Sequence, residues 1–380
     1  MKIKYDTKRA LEVFGLLDKL WKDGNGIFKN VVLSQNRWPE PKKKKELANY
    51  LFCAAIFMRG ARNSDDPFRW LSRLWQNVPE MFDPESVARE WTMRKIQHTI
   101  REITPEILQK KKDKDNGDSG AGALGYNLRE STRFWHKNLT VLHKEWGGDI
   151  FNAFWGVKEF EGFYQRVNYE DNEAGFEGMK RKIFSLFVIW LQERGLIPIF
   201  PTPLPIDHHA LRILTATGIV KFIDPNVPIT LEKYYPALVG QFAVRVYDKK
   251  VNDPIAIWSQ KFLTKHNISH LMVNPAMWVI SRDFCSSQLQ NTTRKDGQFF
   301  FTPELLKQNP RLWPKRYKNP CRYCPLESFC TGVLPSHPYH KRGTMVIMQR
   351  VPYTEPYLPG VDWREVMPYT GRRRSLSKNH

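Results

Sequence analysis

Pro205-Ile-Asp-His-His-Ala-Leu-Arg-Ile-Leu-Thr-Ala-Thr-Gly-Ile219 follows a segment with four prolines in eight residues, Pro198-Ile-Phe-Pro-Thr-Pro-Leu-Pro205. Proline lacks an amide hydrogen and biases the residue before it away from helical geometry. Residues 198–205 are therefore expected to be an extended connector, with a helix starting near Asp207. The exposed N–H groups and local dipole of a helix start hold a carboxylate ionised. On these residues alone, Asp207 reads equally as a plain helix N-cap and as a charge placed for chemistry.

Upstream of the connector a helix is predicted through Met179–Arg194, closing at Gly195. Further back, helical segments are expected at about 84–103 and 127–146, separated by Lys110-Lys-Lys-Asp-Lys-Asp-Asn-Gly-Asp-Ser-Gly-Ala-Gly122. That stretch is charged and then glycine-rich, as a flexible insertion is. The helix after Lys42–Lys45 carries Leu47, Tyr50, Leu51, Ala54, Ala55 and Met58 on a broad apolar face. Asn63-Ser-Asp-Asp-Pro67 reads as a turn and cap before Phe68–Trp75, and Ala10–Trp21 has apolar residues at helical spacing before the stop at Asp23-Gly-Asn-Gly26. Strand-like runs are few, Val244-Arg-Val-Tyr247 being the best, so the chain is expected to be mainly α.

The 380 residues contain 59 Lys plus Arg against 39 Asp plus Glu, a formal net charge of +20. Such a balance favours polyanionic partners through phosphate contacts and counterion release; the plainer account is solubility. With 41% hydrophobic residues the chain can build a sizeable core. No apolar run approaches the roughly 18–20 residues of a membrane span, and the start lacks a signal-type hydrophobic stretch. A cytoplasmic protein with no membrane partner is the expectation.

Five cysteines do not make a secreted disulfide framework. Cys53 sits in the apolar segment Leu51-Phe-Cys-Ala-Ala-Ile-Phe57, where a buried structural thiol is expected. Cys321-Arg-Tyr-Cys324-Pro-Leu-Glu-Ser-Phe-Cys330 places three thiols two and five residues apart, and Cys285 lies 35 residues upstream. Thiolates this close usually hold metal; four suit either tetrahedral zinc or a [4Fe–4S] cluster, and spacing alone does not choose.

The cysteine run resembles the cluster loop of the helix-hairpin-helix DNA glycosylases, the superfamily of endonuclease III and the adenine-specific mismatch glycosylases. Their first cysteine stands six residues before the second; here an insertion at about 286–320 would have to loop out for Cys285 to serve. The 205–219 stretch resembles the family's segment bearing its essential aspartate, which falls on Asp207. Phe176-Glu-Gly-Met-Lys-Arg-Lys-Ile-Phe184 occupies the place of its hairpin, with Gly178 at the first hairpin glycine, Lys180 replacing the second, and Lys182 where bifunctional members carry a Schiff-base lysine. Ala48–Arg62 and Gly125–Trp135 resemble the early buried helix and a later helix start.

The resemblance implies a mainly α, two-lobed helical fold with a C-terminal cluster loop. It covers about residues 45–332, leaving 1–44 as an N-terminal helical extension and 333–380 as a basic tail. It further implies a monomeric DNA glycosylase acting on duplex DNA with a flipped base. Asp207 would be the catalytic carboxylate and Lys182 a candidate lyase nucleophile. Cys285, Cys321, Cys324 and Cys330 would hold a [4Fe–4S] cluster, with zinc as the alternative. Gly178, Lys180, Arg181, His209, Arg212 and Arg322 would contact DNA, and Arg59 and Arg62 would lie in the turn that wedges the duplex. Phe160, Phe163 and Tyr164 are either core or base-stacking surfaces. The altered hairpin and the insertions suggest a divergent member that handles a bulky or hypermodified base. The alternative is a phage-type transferase on the same fold, placing an amino acid or amine on pyrophosphorylated 5-hydroxymethyluracil.

Overall fold

The computed structural model describes residues 2–58, 65–108, 128–169, 172, 174–223, 241–245, 249–285, 324–330 and 344–348. In chain order the elements are β1 (Lys2–Tyr5), α1 (Thr7–Lys22), α2 (Lys44–Phe57), α3 (Asp65–Asn77), α4 (Pro84–Glu90), α5 (Met93–Ile103) and α6 (Leu128–Trp146). There follow α7 (Ile150–Phe154), α8 (Phe160–Val167), α9 (Arg181–Glu193), α10 (His208–Ala216), β2 (Val220–Ile223), β3 (Gln241–Arg245), α11 (Lys249–Lys265), α12 (His270–Val279) and β4 (Thr344–Met348). The described chain is mainly helical, and among the described residues no helix is long and apolar enough to cross a membrane. It divides into a continuous unit, Val32–Pro205, and a split unit, Met1–Val31 with Ile206–His380.

In the continuous unit α2 is the helix around which the others gather. Every residue from Ala48 to Phe57 is buried, the burial pattern of a helix covered on all sides. Aromatic rings fill much of the surrounding space. Phe52 meets Phe176 and Phe187 at 4.7 and 5.5 Å between centroids, and Trp135 meets Phe57 and Phe82 at 5.3 and 5.0 Å. The Trp135 indole N–H reaches the Met81 carbonyl at 2.8 Å, so its one polar atom is satisfied in the core. Side-chain caps set the shorter helices: Asp83 accepts from Ser86 N–H before α4, Thr92 from Lys95 N–H before α5, and Asp149 from Phe151 N–H before α7. Each full burial of a large apolar side chain is worth about 1.5–3 kcal/mol against exposure. Phe160, Phe163 and Tyr164 belong to this core, at 0%, 0% and 9% exposure, and are not surfaces for an incoming base.

The split unit joins the two ends of the described chain. β1 pairs antiparallel with β2, in register Lys2↔Ile223 to Tyr5↔Val220. Asp6 then caps α1 through Arg9 N–H, and α1 packs along α12, with the Ser269 N–H donating to Asp18 at 2.9 Å. Residues 1–31, grouped above with an N-terminal extension, thus pack with the C-terminal half. Tyr5 stacks on Trp258 of α11 at 4.3 Å, and burial pushes its hydroxyl up to about 12. β3 pairs antiparallel with β4, a two-stranded ladder absent from the sequence expectation beyond its first strand. The expected insertions at 110–122 and 286–320 lie outside the described residues, as does most of 333–380.

Candidate functional site

Asp207 stands at the N-cap of α10 with an extended backbone, following the proline connector as expected. One carboxylate oxygen, Oδ1, accepts from the His209 N–H at 2.8 Å and the Ala210 N–H at 3.0 Å. Two backbone donors on a single oxygen favour the charged carboxylate and fix its direction. The geometry therefore contains the plain cap; it equally delivers an oriented anion at the end of the connector.

Around that cap, His209 and Arg212 have structural partners. His209 Nδ1 lies 3.0 Å from Ser281 Oγ. Arg212 is 5% exposed, and its Nη1 donates to the Ser281 carbonyl at 3.1 Å and Oγ at 3.2 Å. Ser281 begins the π-helical turn Ile280–Cys285 that continues α12, so both side chains anchor α10 to that turn. Burial removes Arg212 from the DNA-contact set that the sequence suggested. A neighbouring cation takes an outer position instead: Arg282 lies over the Trp278 ring at 4.1 Å. Nothing in the local spacing signalled Ser281, which is 72 residues from His209.

The hairpin-like segment 176–184 lies in the continuous unit. Gly178 has φ +79°, a left-handed conformation that favours glycine, which is why this position resists a side chain. The turn is tied to α6 by a reciprocal pair: Glu177 N–H donates to Asn138 Oδ1 at 2.8 Å and Asn138 Nδ2 donates to the Glu177 carbonyl at 3.0 Å. Lys180 is exposed at the N-cap of α9, no side chain caps that helix, and its first turn has no acid. Lys182 is half-buried in the same turn. Arg181 departs from expectation. It is 8% exposed, forks onto Glu161 at 2.7 and 2.9 Å, and stacks over Tyr164 at 4.6 Å, so it is a core ion-pair residue and not a DNA contact. Lys182 belongs to the continuous unit and Asp207 to the split unit.

Of the expected cluster ligands, Cys324 and Cys330 have placed side chains. They bracket a tight turn in which Glu327 N–H bonds the Cys324 carbonyl at 3.1 Å and Cys330 N–H bonds the Leu326 carbonyl at 2.9 Å. Leu326 is buried, and Arg9 of α1 lies over Phe329 at 5.6 Å. Burial pushes the Cys324 thiol up to about 12; a Leu326 hydrogen bond opposes this, and the charges of Cys330 and Glu327 add to it. Two buried thiols that mutually disfavour ionisation fit a bound cation or cluster, which would reverse the balance. Cys285 ends the π-helical turn; Cys321, Arg322, Arg59 and Arg62 lie outside the described residues. Cys53 is fully buried in α2 and its thiol is pushed well up, as its apolar segment predicts.

Neither a protein-family model nor a curated protein matches this sequence.

Proposed function

We propose that the protein is a DNA glycosylase that flips out a modified or damaged base and cleaves its N-glycosidic bond. The observation that carries this reading is the Asp207 carboxylate, one oxygen held by the His209 and Ala210 N–H groups at the end of the proline connector. Heterolysis of the C1′–N bond sends its electron pair to the departing base and leaves positive charge on the sugar. A fixed carboxylate stabilises that charge without reorganising as it develops. Water then adds at C1′ and loses a proton, giving an abasic site and a free, protonated base.

The split hairpin segment supports the same reading. Gly178 keeps the left-handed turn, and Lys180 and Lys182 in the acid-free first turn of α9 supply cations for phosphate. Lys182 is also the candidate nucleophile for a Schiff base at C1′, a step that would replace water by its amine. Cys285, Cys321, Cys324 and Cys330 would hold a [4Fe–4S] cluster, zinc being the alternative. The bound group would supply no base chemistry and would tie down the loop carrying Arg322.

The test is incubation with genomic DNAs carrying natural and hypermodified bases, with mass spectrometry of released bases and digested nucleosides. A free base matched by abasic sites, and lost in Asp207→Asn, is the expected result. Intact DNA with a new nucleoside mass, formed only with an amine donor, would replace this reading by base modification on a transferase.

A further inference from the structure

The face formed by α6 and the 168–180 segment alternates cations with aromatic rings around a cavity. The cavity, about 180 Å³, is lined by Phe134, Asn168, Tyr169 and the run Phe176–Lys180. Arg133 lies over the Phe134 ring at 4.9 Å, and Lys137 lies over the Tyr169 ring at 4.0 Å. The Lys137 ammonium also donates to the Tyr169 hydroxyl at 2.7 Å, which fixes the orientation of a ring left 36% exposed. Behind it the backbone is pinched: a Cβ on Gly175 would come within 2.6 Å of Tyr169 N, so Tyr169 cannot retreat when something presses on it.

The charges around this cavity are unbalanced. Arg129, Arg133 and Lys137 follow one another at four-residue steps along α6, about 6 Å of rise each, and exposed Lys180 stands on the opposite rim. Glu177 is the acid among them, bonded to Arg133 at 2.9 Å and to Lys137 at 3.2 Å, and Glu130 lies beside Arg129 on α6. One lining carboxylate against Arg133, Lys137 and Lys180 leaves a net positive rim. A ligand that fits must carry repeated negative charge and, between the charges, a flat apolar group the size of the cavity. A nucleotide strand has both, and a base still paired in a duplex cannot enter.

We propose that this face binds an unpaired strand of nucleic acid, with phosphates on the α6 cations and Lys180 and one base stacked on Tyr169 over the cavity. The site lies within the continuous unit, apart from Asp207, and shares with the proposed function only the class of partner. Stacking of a base on an aromatic side chain is sequence-tolerant, because every base has a π-face.

Binding of a fluorescein-labelled mixed-sequence 12-nucleotide single strand, and of the same sequence as duplex, by the full chain tests this directly. Tyr169→Leu should weaken the single strand about tenfold, equivalent to about 1.4 kcal/mol, and leave the duplex within about twofold. Tyr169→Phe, which keeps the ring, should bind as wild type does. Arg133→Gln with Lys137→Gln should flatten the salt dependence by about 1.4 in log–log slope, for two phosphates lost. Ultraviolet crosslinking of the unaltered protein should place adducts in peptides spanning 129–137 or 168–180. Single-strand binding unchanged in Tyr169→Leu, equal loss of single strand and duplex, or adducts confined elsewhere would overturn the proposal. Base release lost in Asp207→Asn with single-strand binding retained separates the two readings; absence of base release from every DNA would sink the glycosylase and leave this site standing.

Discussion

Arg181 and Glu161 meet as a two-pronged ion pair, Nη1 on Oε2 at 2.7 Å and Nη2 on Oε1 at 2.9 Å, joining the first turn of α9 to the first turn of α8. Arg181 is buried, whereas the Glu161 side chain keeps 39% exposure, so water shares its charge. Removing one partner strands the other. Arg181→Met should lower stability by about 2 kcal/mol, less than the 3–5 kcal/mol of a fully buried pair, because Glu161 can turn to solvent. Glu161→Gln should cost at least as much, since it leaves the buried cation uncompensated. Chemical denaturation measures both, and a loss below about 0.5 kcal/mol in each would show that the pair is incidental. Lys180→Ala, one residue away and exposed, should leave the denaturation midpoint in place and weaken duplex binding.

Asp207 combines a cap with a charge, and two substitutions separate them. Asparagine caps a helix about as well as aspartate, whereas alanine loses about 1 kcal/mol. Asp207→Asn should therefore hold stability near wild type while base release falls about a hundredfold or more, the scale of losing one preorganised electrostatic group. Asp207→Ala should lose both. Equal activity in wild type and Asp207→Asn would reduce the residue to its structural role.

That separation also marks how far the sequence could be read. The start of α10 was legible because four prolines and an aspartate leave the backbone few choices, and α2 was legible from its run of apolar residues. The mainly helical class followed from the same local patterns. Arg181 was misread because a lysine- and arginine-rich first turn looks the same whether its cations face solvent or a core carboxylate; Glu161, 20 residues earlier, decides it. Arg212 and His209 were likewise decided by Ser281, a residue with no local mark. The Asn138–Glu177 pairing and the Lys137–Tyr169 contact are similarly long-range in sequence, so the face they build could not be seen in any short segment.

Two titrations should pull stability in opposite directions. Burial raises Glu193, at the end of α9, to about 7, with a Gln35 hydrogen bond and the Arg194 charge opposing the shift. The folded state then holds a proton that the unfolded chain has released, so this group's contribution falls as pH rises from about 4.5 to about 7 and stays unfavourable above it. His270, buried at the start of α12, is lowered to about 4. There the unfolded chain binds the proton first, and stability falls as pH drops from about 6.5 towards 4. Glu193→Gln should make the protein more stable at pH 8 with little change at pH 4.5; denaturation midpoints at the two pH values check it. A larger gain at the lower pH would contradict the assigned direction.

The cysteines give the last prediction, because only three of the five positions have described side chains and these already divide into two classes. Cys53 is sealed among Tyr50, Phe52 and Phe57, far from any requirement for a thiolate. Cys324 and Cys330 share a turn in which each raises the cost of ionising the other, so a proton or a cation must balance them. Anaerobically purified protein should accordingly be brown, with roughly four irons and as much sulfide per chain. Cys324→Ser and Cys330→Ser should each lose that colour. Cys53→Ser should keep it while costing about 1–3 kcal/mol of stability, because its hydroxyl is buried in an apolar helix packing. A colourless protein holding one zinc per chain would assign the same thiols to the tetrahedral ion. Metal content unchanged in Cys324→Ser and Cys330→Ser together would instead free this turn from any metal role.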